Sequence, residues 1–185
     1  MTLAPAQLPL DPGATGRTRP LMFSLMRLKR WANAELMKTV LELPALAGTR
    51  EEGYVTAIVR HFHTVDCIFK AHLLGMPHGY TSANPSEPAT LTELWPRVAS
   101  VDEWYVEYTR DLDERDQAEA LNVTFTDGKT LALTRLEILL HVMLHGAYHR
   151  GNIGVLLRLS GAEPAPDGIP AYVRQLAETN ERLAS

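Results

Sequence analysis

Three histidines recur at every fourth residue in His141-Val-Met-Leu-His145-Gly-Ala-Tyr-His149-Arg-Gly. On a helix, side chains four apart share a face, advanced by ~40° and one turn. Two imidazoles so placed grip one metal ion, as in helical zinc sites. Three in series do not share an ion easily, because His141 and His149 are ~12 Å apart along the axis at ~1.5 Å per residue. The pair is His141 with His145 or His145 with His149, and spacing leaves both open. Tyr148 and Asn152 fall within ~40° of His145 on the histidine stripe, and Arg150 falls on the opposite side.

The other four histidines separate by position. His61 lies at the centre of a stripe of Tyr54, Ala57, Ile58, Val65 and Ile68, so it points inward. His63 is ~200° away, beside Arg60, Asp66 and Lys70, and should face solvent. His72 shares the angle of His61 but sits ~16 Å further along the axis, too far to join it at one ion. His78 is in a loop between Pro77 and Gly79. Cys67 reads as an inert, half-buried thiol; Trp31, Trp95 and Trp104 read as packing residues, and Asp111 to Glu119 as a solvated helix end.

Four amphipathic stretches carry these residues. Leu21, Leu25, Leu28, Ala32, Leu36 and Val40 form one stripe of a first helix ending before Pro44. Thr49-Arg-Glu-Glu52, Thr90-Leu-Thr-Glu93 and Thr134-Arg-Leu-Glu137 are capping boxes, in which hydroxyl and carboxylate satisfy free backbone donors at a helix start. They open a second helix to about Gly75, a third with Leu91, Leu94, Val98, Val101, Tyr105, Tyr108 and Leu112 inward, and a fourth stopping at Gly161. Pro96 falls in or near the first turn of the third, where a missing N–H is tolerated. The fourth helix is apolar almost all round, which predicts burial. Asp127-Gly128 between 121–126 and 129–132 is a two-residue hairpin signal, and residues 170–183 suit a short terminal helix. The expected fold is all-α: a four-helix bundle with a β-hairpin before the fourth helix and a short C-terminal helix.

The chain has 185 residues, 45% hydrophobic and 22% charged, a composition that builds one domain with a real core and excludes wholesale disorder. Residues 1–19, with Pro5, Pro9, Pro12 and Gly13, read as an irregular N-terminal arm before a single domain over 20–185. One cysteine excludes a disulfide framework or a cysteine zinc module, so a metal here would be bound by nitrogen. A net charge of −4 argues against nucleic acid as partner. No apolar run approaches the ~20 residues of a membrane span, and the start lacks a basic leader. These features predict a soluble, cytoplasmic protein.

Trp31-Ala32-Asn33, His61 with Asp66 five residues later, and His145-x-x-x-His149-Arg150-Gly151 together resemble the DinB/YfiT-like superfamily of damage-inducible metalloenzymes. The hairpin and Asp167-Gly-Ile-Pro-Ala-Tyr172 extend the resemblance over about residues 20–175. It implies an up-down-down-up bundle, often a homodimer, and a divalent ion, commonly nickel or zinc, with manganese, iron or cobalt as further options. Matched by position, the ligands would be His61, His145 and His149, with His141 left as a neighbouring pocket group. The motif often continues with Gln where this chain has Asn152.

Three neutral imidazoles leave an ion open positions for water or substrate. The chemistry that follows is metal-dependent action on a small molecule: hydrolysis by activated water, or transfer or isomerisation using a low-molecular-weight thiol, which the resemblance favours. Tyr148, Asn152 and His141 are the candidates to orient substrate, and no carboxylate stands on the inner stripes as general base. The competing readings are a non-catalytic metal- or ligand-binding stress protein and a structural bundle whose histidines bond to carbonyls.

Overall fold

The computed structural model describes residues 21–184, so the expected arm over 1–19 lies outside the described residues. The chain order is α1 (Leu21–Leu41), a 3-10 turn (Pro44–Leu46), α2 (Arg50–Leu73), α3 (Leu91–Thr109), α4 (Glu114–Gln117), β1 (Ala120–Thr124), β2 (Thr130–Thr134), α5 (Arg135–Leu159) and α6 (Ile169–Ala184). The fold is mostly helical with one small antiparallel ribbon.

Helix starts sit where the threonines place them. Thr90 and Thr134 each accept from the backbone N–H three residues on, while Glu93 and Glu137 accept from the threonine N–H. At α2 the box is divided: Thr49 accepts from the Glu52 N–H, but the Glu52 carboxylate accepts from the Gly48 N–H instead. Pro96 is the sixth residue of α3, past the first turn, and the helix continues through it. The hairpin loop is three residues rather than two. Gly128 N–H donates to the Phe125 carbonyl and Phe125 N–H to the Lys129 carbonyl, with Gly128 at φ +81° supplying the left-handed residue. Asp113 caps the one-turn α4, so the acidic stretch is its own element rather than the end of α3.

α1 packs on α3 and α5, and α2 on α3 and α5. One apolar cluster joins Met22 and Met26 to Phe69, Leu73, Tyr105, Val106, Leu139 and Val142. The other joins Leu36 and Val40 to Val55, Val59, Leu91, Leu94, Ile153 and Leu157. The start of α1 therefore meets the start of α5 and the ends of α2 and α3, and the opposite termini meet in the second cluster.

Three expected faces are displaced. Leu21 is 71% exposed, and Met22 and Met26 fill the core at that end of α1. On α2 the core stripe is Val55, Val59, Phe62, Val65, Phe69 and Leu73, so Tyr54 and Ala57 are exposed and His61 stands at the edge of the interior. That helix is apolar over too wide an arc for a wheel to choose its centre. α5 is not buried all round: Leu140, Leu144, Tyr148, Val155 and Leu159 form an exposed ridge along it. No described helix is long and apolar enough to cross a membrane.

Candidate metal centre

α2 and α5 lie side by side, which brings His61 against the His145–His149 pair. His145 Nε2 is 3.1 Å from His61 Nε2 and 3.0 Å from His149 Nε2. The three rings offer ligand atoms all within 4.8 Å of one another. His141, the alternative partner of His145, stacks on it with centroids 5.3 Å apart and lies 4.8 Å from the Phe69 ring. It is outside the cluster, so the geometry selects the later pair.

The hydrogens decide what the cluster can hold. His61 Nδ1 is 3.1 Å from the Ala83 carbonyl, which needs a donor, so Nδ1 carries the hydrogen and Nε2 presents a lone pair. A neutral imidazole has one N–H, so His145 Nε2 cannot direct a hydrogen at both neighbours. A cation at the centre satisfies all three lone pairs together. Metal–nitrogen bonds of ~2.1 Å put neighbouring nitrogens ~3.0–3.4 Å apart for right-angled to tetrahedral geometry, matching the two distances from His145 Nε2. The donor set thus fits a divalent ion that accepts nitrogen ligands.

Electrostatics disfavour protonation of His145 and His149. Burial, then the neighbouring His149 and His61, pull His145 down to about 3. Burial and His61 lower His149, and burial lowers His141. The Nδ1 atoms of His145 and His149 are buried with no hydrogen-bonding partner among the described residues. Tyr148 is 68% exposed, its ring meeting the edge of His149 at 5.1 Å, and Asn152 is half-buried on the same side.

His63 does not face solvent freely: it is half-buried beside the Cys67 thiol, and burial pulls it down to about 4. Asp66, expected beside it, is buried and turned inward. Here lies what the sequence reading missed. Lys29 Nζ donates to Asp66 Oδ2 at 2.7 Å and to Asp102 Oδ1 at 2.5 Å, all three side chains buried. Asn33 Nδ2 donates to Asp102 Oδ2, and Arg150 donates through Nη1 to Asn33 Oδ1 and through Nε to Asp167 Oδ2. Burial pulls the Lys29 ammonium down, but Asp102 and Asp66 outweigh it and the group ends above its ordinary value. Lys29 and Asn33 sit four apart on the buried stripe of α1, a polar pair that could have signalled the network. Carboxylates do stand inside, but this network holds them. Trp31 has a role beyond packing: its Nε1–H donates to Gln175 Oε1 and its ring meets Tyr172, tying α1 to α6.

The chain is a helical protein in which three imidazoles from two adjacent helices form a cluster that could hold a metal ion. The DinB family profile matches residues 18–181, so the chain belongs to the DinB family. A curated relative, Protein DinB of Bacillus subtilis (strain 168), is 28% identical over 168 residues, covering 82% of this chain and 92% of the relative. A solved DinB-like protein of Bacillus subtilis is similar at TM-score 0.47 and 21% identity, covering 80% of this chain and 96% of its own.

Proposed function

We propose that this DinB-family chain is a metalloenzyme in which His61, His145 and His149 hold one divalent ion, nickel or zinc foremost, with manganese, iron and cobalt as further options. The observation that carries the reading is the convergence of three imidazoles, with His145 Nε2 within 3.1 Å of the Nε2 of both neighbours and the His61 lone pair fixed by the Ala83 carbonyl. When bound, the ion supplies Lewis acidity to a water or thiol, which suits a hydrolase or a thiol-dependent transferase or isomerase acting on a small molecule. His141, Tyr148 and Asn152 stand beside the ligands as the groups to orient the substrate, and the depressed proton affinities of His145 and His149 keep both available as ligands at neutral pH.

The packing of α1, α2, α3 and α5 supports an up-down-down-up four-helix bundle, with the site on its α2–α5 seam. The ridge on α5 supports a homodimer. Its spacing reads the same in both directions about Gly151 and Asn152, setting Tyr148 against Val155 and Leu144 against Leu159 of an antiparallel copy. A Cβ at Gly151 would meet nothing within 4 Å, so a second helix has room to approach there.

The test is metal analysis of tag-free protein prepared without a nickel column. About one ion per chain is expected. Stoichiometric metal that survives both His61→Ala and His149→Ala would overturn the ligand assignment. Metal without turnover of thiol adducts or ester and amide substrates would favour the non-catalytic binder.

A further inference from the structure

Between α2 and α3, residues 74–90 form neither helix nor strand, longer than the ~12–15 residues at which such connections become uncommon in compact domains. The segment lies along α2, attached at successive points. His78 Nε2–H donates to the Thr124 carbonyl of β1 at 3.2 Å, and His72 of α2 donates to the same oxygen at 3.0 Å. Tyr80 N–H donates to His78 Nδ1 at 3.0 Å. The Ala83 carbonyl accepts from His61 Nδ1–H, and Ala83 packs against the apolar core. Beyond it, Arg60 Nη1 donates to the Glu87 carbonyl at 2.7 Å.

The carbonyl on His61 is thus bracketed by two attachments, His78 to the Thr124 carbonyl before it and Arg60 to the Glu87 carbonyl after it, the second made from the residue next to His61. The other two rings of the cluster have no partner on Nδ1 among the described residues. His61 is the ring whose tautomer and orientation the protein dictates. We propose that residues 74–90 act as a strap for the metal centre, with Arg60 as a positioning residue that holds the Ala83 carbonyl on His61 and so sets the affinity for the ion. This rests on His61, His145 and His149 being the ligands. Partners of this kind on ligating histidines change metal affinity by about 10–100-fold when lost.

The experiment compares full-length, tag-free wild type with Arg60→Met, which keeps the aliphatic stem but removes the attachment to the Glu87 carbonyl. Zinc and nickel affinities are measured by competition with a chromophoric chelator. The strap predicts a loss of about 10–100-fold, with the metal-free thermal midpoint moving by less than about 4 °C and Arg60→Lys recovering part of the affinity. Long-range proton–nitrogen spectra of the metal-free proteins give a second readout: His61 is the Nδ1–H tautomer in wild type and a mixture in the variant. Equal affinity in variant and wild type, with His61 unchanged, overturns the strap. A wild type that binds neither metal overturns the ligand assignment, and the tautomer readout then decides the strap on its own. If Arg60→Met does not fold, Arg60→Gln carries the same comparison.

Discussion

Replacing Lys29 by Met removes the cation that two buried carboxylates share and keeps the aliphatic stem that packs between α1, α2 and α3. Asp102 retains the Asn33 amide as a donor at 2.7 Å. Asp66 retains nothing on its side chain: Oδ1 already has no partner among the described residues, and Oδ2 loses Lys29. Stranding a buried charge in this way costs about 3–5 kcal/mol, a large part of the ~5–15 kcal/mol that holds a domain together. The cost should depend on pH, with a sign fixed by Asp66. Burial raises its carboxyl from 3.8 to about 6 against the pull of Lys29, so the folded chain binds this proton more readily than the unfolded one. The contribution of Asp66 is then most favourable below 3.8 and is lost as pH rises through about 6. Without Lys29 the carboxyl rises further, and protonation at pH 5 relieves the stranded charge. Urea unfolding followed by circular dichroism should show the full loss at pH 8 and a smaller one at pH 5. Lys29→Met/Asp66→Leu/Asp102→Asn should recover most of it, because no uncompensated charge remains. A loss under about 1 kcal/mol at pH 8, or the same loss at both pH values, would refute the reasoning.

Zinc at a hundredfold excess over its Kd should stabilise the wild type by about 2.7 kcal/mol, read as a rise in thermal midpoint, and leave His61→Ala unmoved; an equal rise in both would count against His61 as a ligand. His63 is pulled by burial from 6.5 to about 4, so it adds stability that is present above 6.5 and lost as pH falls toward 4. His63→Gln should flatten the acid limb of a stability–pH curve in that window, and an unchanged limb would contradict the assigned burial. Leu144→Asp, on the exposed ridge of α5, should convert a dimer to a monomer in light scattering without changing helix content, and wild type that is monomeric at high concentration would remove the proposed interface.

Local chemistry was legible where one residue decides the outcome. Thr90 and Thr134 start their helices because each has a carboxylate three residues on, and His145 and His149 share a face because both are on one regular helix. Which residues face inward was harder. On α1 and α2 apolar side chains cover more than half the circumference, so the true interior was chosen by the neighbours, and Met22 replaced Leu21. Leu144 and Val155 read as core from hydropathy alone, though no described element covers them. Lys29, Asp66 and Asp102 gave only a partial signal, Lys29 by its spacing to Asn33 and Asp66 by the family motif, because each alone is ordinary on a solvated face. Only their coincidence from three helices makes burial tolerable, and such coincidence is a property of packing. Asn33 and Arg150 were marked by the family motif, whose physical reason is their contact with each other.

The fourfold repeat of histidines leaves α5 with an ambiguity of phase. Sliding the helix by one turn, ~6 Å, would carry His141 and His145 into the places of His145 and His149. An ion could not tell the two settings apart. The opposite side of α5 can. After the slide Val142 would occupy the position of Gly146, where a Cβ lies 3.5 Å from Lys29 Cε and the two methyls of a valine would press on that buried stem. Arg150 itself would move a turn away from Asn33. Gly146 and Arg150 thus act as the notch and key of α5: they admit one alignment, and with it one pair of the three histidines.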